Sequence, residues 1–114
     1  MPRSEYTLSE YRGMWIFTMF DLPTQSKKER KAYAKFRLEL LDLGFSMLQF
    51  SVYARYCASE DIAARHRRTI KKAIPPDGSV RILTVTDRQF GKMENYIGKK
   101  MAPTEKPPEQ LMLF

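Results

Sequence analysis

Asp21 is the single charged residue in "MWIFTMFDLP", residues 14–23, a run of large apolar side chains. A carboxylate placed just before Leu22 and Pro23 supports two readings. It can serve the turn, because Asp side chains commonly accept hydrogen bonds from nearby backbone. It can also hold a hard cation, because Mg²⁺ keeps several waters and takes one or two carboxylates together with phosphate oxygens. One Asp per chain makes a sparse site. The second reading therefore needs two copies of Asp21 to converge across a two-fold axis on one ion, which would activate water against a phosphodiester. No second acid, lysine base or catalytic histidine is recognisable beside it in the sequence.

A second chemistry is carried by cations. Lys27, Lys28, Arg30, Lys31, Lys35 and Arg37 crowd one segment, with Glu29 the sole acid in that span. Arg65, Arg67, Arg68, Lys71 and Lys72 crowd another, with no acid from 65 to 72. A charge run is often only a solvated helix face. Here the opposite charges that would pair at i,i+4 are scarce, so local helix stability does not account for the pattern. The chain carries a formal charge of +7 and has a pI near 9.7. Such an excess suits a phosphate-rich partner, because neutralising phosphates releases condensed counterions. Two such ridges in a dimer would suit a long duplex backbone read without regard to sequence. The lone Cys57 cannot form an internal disulfide and fits a reducing cytoplasm as a structural thiol. The lone His66 falls on an apolar stripe and reads as a core or boundary histidine, with no companions for a zinc site. No apolar run reaches the length of a membrane helix, and residues 1–13 show no signal-peptide core.

The elements that would position these groups follow from periodicity. Residues 14–20 read as a strand. Ser26 with Glu29 is a capping box, opening a helix whose Tyr33, Phe36, Leu40 and Leu43 face the core. "FSMLQFSVYARYC", residues 45–57, is long for one strand and reads as two short strands or one broken by a bulge near Gln49–Ser51. Ser59 caps a second helix with an apolar stripe of Ile62, Ala63, His66, Ile70 and Ala73. "PPDG" turns the chain into the strand "SVRILTVT". Thr86 with Gln89 opens a short helix around Phe90, Met93 and Ile97. The 114 residues divide into a polar arm (1–13), a core (14–98), and a Pro-containing linker ending in the apolar "QLMLF" (99–114).

The order β-α-β-β-α-β predicts an α+β fold of the ferredoxin-like kind, an antiparallel sheet with two helices on one face. A sheet with one wet face should alternate apolar and polar. "MWIFTMF" does not, and leaving side chains of the size of Trp15 or Phe17 in water forfeits roughly 1.5–3 kcal/mol each. The expected cover is a second copy, giving a homodimer through the open sheet faces, with the N-terminal arm in cis as the alternative. "QLMLF" could add an extra C-terminal strand to a sheet edge. The aromatics of "FSVYARY" also invite an RNA-recognition reading of the same topology, though the glycine that its aromatic motif needs is missing.

"MFDLPT" followed by "ERKAYAKFR", "GFSMLQFSVYAR" and "ILTVTDRQF" resembles the CRISPR-associated protein 2 family, across roughly residues 14–97. The wording is closest to the versions found with a single large RNA-guided effector nuclease. The resemblance implies a ferredoxin-like homodimer in which Asp21 is the catalytic, Mg²⁺-binding aspartate of an endonuclease acting on single-stranded RNA or double-stranded DNA. It also implies a role in CRISPR spacer acquisition, where the dimer bridges dimers of the CRISPR-associated protein 1 integrase and holds the protospacer duplex. The basic residues of both helices would contact that duplex, and Leu111, Met112, Leu113 and Phe114 would dock the partner. A toxin-type RNA interferase on the same fold is the rival reading.

Overall fold

The computed structural model describes residues 13–108. Strand β1 (Met14–Asp21) is followed by helix α1 (Lys27–Asp42), strands β2 (Ser46–Gln49) and β3 (Val52–Cys57), helix α2 (Glu60–Ala73) and strand β4 (Ser79–Thr86). A short helix α3 (Asp87–Gly91) and a hairpin of β5 (Asn95–Ile97) and β6 (Lys100–Ala102) complete the described chain. The main sheet has the order β2-β3-β1-β4, with every neighbouring pair antiparallel. This is the ferredoxin-like arrangement that the element order predicts. All but the last residue of the polar arm expected over residues 1–13, and the apolar tail at Leu111, Met112, Leu113 and Phe114, lie outside the described residues.

All three expected caps form. The Ser26 hydroxyl accepts from the Glu29 backbone N–H while the Glu29 carboxylate accepts from the Ser26 N–H. Ser59 accepts from Ile62 N–H. Thr86 and Gln89 repeat the reciprocal pair. Each cap satisfies backbone donors that have no partner within the helix.

Parity along β1 divides the sheet into two faces. Ile16 and Phe20 point to the helices and pack with Phe36, Leu40, Phe45, Tyr53, Ala63 and Ile70 in the main core. Thr18, fully buried between them, has a hydroxyl without a hydrogen-bond partner among the described residues. Trp15 and Phe17 point the other way. There part of the cover is intramolecular and comes from α3. Phe90 of α3 lies on the Trp15 indole with centroids 3.9 Å apart and planes 8° from parallel. Trp15 Nε1 donates to Asp87 Oδ1 at 2.7 Å, fixing α3 over that end of the sheet. Toward the other end of the same face the cover thins among the described residues, although Phe17 still meets Phe90 with centroids 5.6 Å apart. Phe17 and Met19 are only partly buried, and Leu83 is 50% exposed.

Two local details differ from the periodicity. Helix α3 stops at Gly91 rather than running to Ile97. Lys92 and Met93 donate to carbonyls three residues back, tightening the last turn. Tyr96 and Ile97 then form a hairpin strand turned by Gly98, which takes a φ of +64°. That hairpin crosses residue 98, the expected end of the core. Between β2 and β3 the chain turns at Phe50–Ser51, and the register slips between Met47 and Gln49, leaving Leu48 as the extra bulge residue. Ser51 adopts a φ of +62°, an uncommon conformation for a residue other than glycine.

Candidate nucleic-acid interface and acidic site

Asp21 ends β1 opposite Ser79, exposed between buried Phe20 and Leu22. Its side chain makes no hydrogen bond among the described residues, and the cap of α1 is supplied by Ser26 instead. The turn therefore does not need the carboxylate. Pinning comes from the backbone. Gly78 has a φ of +96°, and a Cβ there would meet the Asp21 carbonyl oxygen and Leu22 Cδ2, both at 2.7 Å. Only a residue without a side chain lets β4 begin this close to the end of β1.

The acid lines a shallow depression of about 220 Å³ with Met19, Phe50, Ser51, Val52, Ser79 and Arg81. Arg81 lies opposite Met19 on the same sheet face as Asp21 and is exposed. It forms no ion pair among the described residues. Neither Arg81 nor Phe50 was flagged by sequence reasoning as a site residue. The available signal was Arg81 as the one charge within "SVRILTVT". Phe50 gave no signal in the sequence, because its position at a hairpin tip depends on the bulge.

No group of three or more His, Cys, Asp or Glu side chains capable of holding a metal occurs among the described residues. Asp21 alone offers one unencumbered carboxylate. That donor set fits only an ion that keeps most of its waters, which is the manner in which magnesium is commonly held.

The cationic segments occupy α1 and α2, which pack side by side on one face of the sheet. Lys27, Lys28, Arg30, Lys31, Lys35 and Arg37 are exposed on α1, and Arg65, Arg68, Lys71 and Lys72 on α2. Arg30 also donates to the Thr24 and Gln25 carbonyls. Arg67 is half-buried and tied within the fold: it pairs with the Glu60 carboxylate and donates to the Thr84 hydroxyl at 3.0 Å. The hydrogen bond that Arg67 donates to the Glu60 carboxylate holds that acid below the usual carboxylate range. The basic ridge and the Asp21 depression are thus set on different parts of the surface, the first on the helices and the second at one end of the sheet.

Cys57 and His66 are structural. The thiol is buried, and desolvation pushes its pKa up, away from the reactive thiolate, despite Arg55 donating to its sulfur at 3.6 Å. Arg55 also donates to the Leu43 and Tyr56 carbonyls, so its charge serves the fold. His66 is half-buried; desolvation, then Arg55 and Arg65, lower its pKa.

The family model for CRISPR-associated protein Cas2 matches residues 14–93, which take in the whole four-stranded sheet and both long helices. The chain belongs to the Cas2 family. A CRISPR-associated endoribonuclease Cas2 of Flavobacterium psychrophilum is 50% identical over 115 aligned positions, covering 100% of both chains. One of the same name from Parvibaculum lavamentivorans is 52% identical over 101 residues, covering 89% of this chain and 100% of the relative. A crystal structure of Cas2 superposes with a TM-score of 0.49 at 18% identity, covering 88% of this chain and 99% of the other.

Proposed function

We propose that this Cas2-family chain serves CRISPR spacer acquisition as a homodimer that binds the protospacer duplex along its helical ridge and bridges dimers of the CRISPR-associated protein 1 integrase. The same dimer carries a weak, Mg²⁺-dependent endonuclease site at Asp21. The observation that supports the binding role is the unpaired cationic surface of α1 and α2: ten exposed Lys and Arg side chains on two adjacent helices. Sequence-blind phosphate binding needs this and little else. Membership of a family whose relatives are named endoribonucleases supports the acidic site.

The less covered end of the second sheet face supports the dimer, because Met19 is only partly buried and Leu83 is half in water among the described residues. Asp21 would hold the ion together with waters and phosphate oxygens, and the bound ion would supply an activated water. Around it, Arg81 neutralises phosphate charge, and Gly78 keeps the strand end in place. Among the described residues no histidine or lysine lines the depression, so it offers no general base and cleavage there is expected to be slow.

Duplex binding measured against salt tests the ridge. Replacing Arg65, Arg68 and Lys72 together by Gln should lower the slope of log K against log salt by about 2–3, at about 0.9 per lost phosphate contact. An unchanged slope refutes it. Asp21→Asn should abolish metal-dependent cleavage while leaving duplex binding intact, and cleavage that survives the change removes the enzymatic half.

A further inference from the structure

Phe50 is 81% exposed, the most exposed of the large apolar side chains described. A ring of this size gains from leaving water, so its exposure is unfavourable in the isolated chain. The fold nevertheless holds it firmly. Tyr33 of α1 lies against it with planes 21° apart and centroids at 6.2 Å. The Tyr33 hydroxyl and Ser51 Oγ are hydrogen-bonded at 2.8 Å. The Ser51 carbonyl accepts from Phe20 N–H at 3.1 Å, tying the hairpin tip to β1 one residue before Asp21. Ser51 itself sits in the left-handed region, which costs a residue with a side chain of order 1–2 kcal/mol. An aromatic ring backed on one side, presented to water on the other and fixed by a strained turn is arranged as a platform.

Its neighbours fit one kind of guest. Phe50 lines the same depression as Asp21, Ser79 and Arg81. A flat π face beside a free guanidinium and a hydroxyl suits a nucleotide, with the base on the ring and the phosphate on Arg81. We propose that Phe50 is the stacking platform for one unpaired base at the acidic site, with Arg81 as the phosphate contact, so that this site takes single strands while the ridge takes duplex. The proposal rests on the reading of Asp21 as a nucleic-acid site. A base within a duplex has both faces covered by its neighbours, so the platform discriminates by strandedness rather than by sequence. RNA and DNA share the base face, and the test carries both.

Binding of fluorescent single-stranded RNA, single-stranded DNA and duplex DNA is measured in EDTA, so that cleavage does not intervene. Stacking on an aromatic ring is worth about 1–3 kcal/mol per base, so Phe50→Ala should weaken single-strand binding roughly 5- to 150-fold. Duplex affinity and its salt slope should not change. Phe50→Trp should restore single-strand binding, whereas Phe50→Leu, which keeps apolar bulk without a π face, should not. Equal loss for single strand and duplex, full rescue by Phe50→Leu, or no loss at all overturns the platform. A Phe50→Ala protein whose sedimentation changes also overturns it and assigns the ring to a contact between copies. Wild-type protein that binds neither strand overturns both this inference and the function beneath it; wild-type binding with an indifferent Phe50 overturns this inference alone.

Discussion

Gly78→Ala offers the sharpest test of how the acid is held. The new methyl would sit 2.7 Å from both the Asp21 carbonyl oxygen and Leu22 Cδ2, and 3.0 Å from Leu22 Cα. Real Cβ atoms do not approach so closely, and two of these three neighbours are backbone, so the strand end must move. A φ of +96° adds a second cost for any L side chain, of order 1–2 kcal/mol. Overpacking of this kind costs about 1–3 kcal/mol. Together they give about 2–5 kcal/mol, a large part of a typical domain's stability of 5–15 kcal/mol. At about 4–8 °C per kcal/mol for a small domain, Tm should fall by roughly 8–40 °C, read by calorimetry or circular dichroism. Gly91→Ala is the matched control. Nothing lies within 4 Å of its added methyl. It ends helix α3, and the change should raise stability by about 0.4–1 kcal/mol. Because the clash falls on the Asp21 carbonyl, Gly78→Ala held below its new Tm should also lose metal-dependent cleavage while keeping duplex binding through the exposed cations of the helices. Two alanine variants melting within a few degrees of each other would refute the close-approach account.

Three further outcomes follow from the packing. Leu83→Glu should leave the isolated chain folded, because this side chain is already half in water, but should weaken self-association at least 30-fold by sedimentation equilibrium: losing the remaining burial of two leucines forfeits about 2 kcal/mol before any charge is desolvated. Thr18→Val should raise stability by about 1 kcal/mol, read as a higher urea midpoint, since it removes a buried hydroxyl that has no partner among the described residues at nearly constant shape. His66 has a folded pKa lowered from 6.5, so the unfolded chain binds the extra proton first; its contribution to stability is full above 6.5 and is lost as pH falls through the window below it, and His66→Gln should flatten the fall in Tm between about pH 7 and 5.5.

The parts of the fold that local rules govern were legible in the sequence. Ser26, Ser59 and Thr86 mark helix starts because capping uses neighbours three residues apart, and each helix begins where its cap predicts. The faces of α1 and α2 were likewise readable, since Phe36, Leu40, Ala63 and Ile70 recur at helical spacing. Long-range packing was not. That Phe90 would fold back on Trp15, 75 residues away in sequence, depends on a short helix whose length the periodicity overestimates. The role of Arg67 was hidden for the same reason: its partners Glu60 and Thr84 stand on the same helix seven residues away and on a different strand. Asp21 was found because a lone charge in an apolar strand is conspicuous by itself. Its companions Phe50 and Arg81 reach it only through the hairpin turn and the pairing of β1 with β4.

The parity that separates the two sheet faces also decides what Asp21 can do. On the helix face it would be buried against Phe20, Tyr53 and the α1 stripe, and a carboxylate there would have to be neutralised or paired. On the second face it emerges at the end of β1 past Met19, on the side where Leu83 stays half in water. The surface available for joining two copies is therefore continuous with the surface that carries the acid. In a dimer formed through that face with the two β1 ends at the axis, as proposed above, two carboxylates would approach one another as the apolar side chains close. Their mutual repulsion opposes the contact, and a divalent cation or a cationic side chain such as Arg81 relieves it. Assembly and cation binding then become one linked equilibrium, in which whatever neutralises the acids also tightens the dimer.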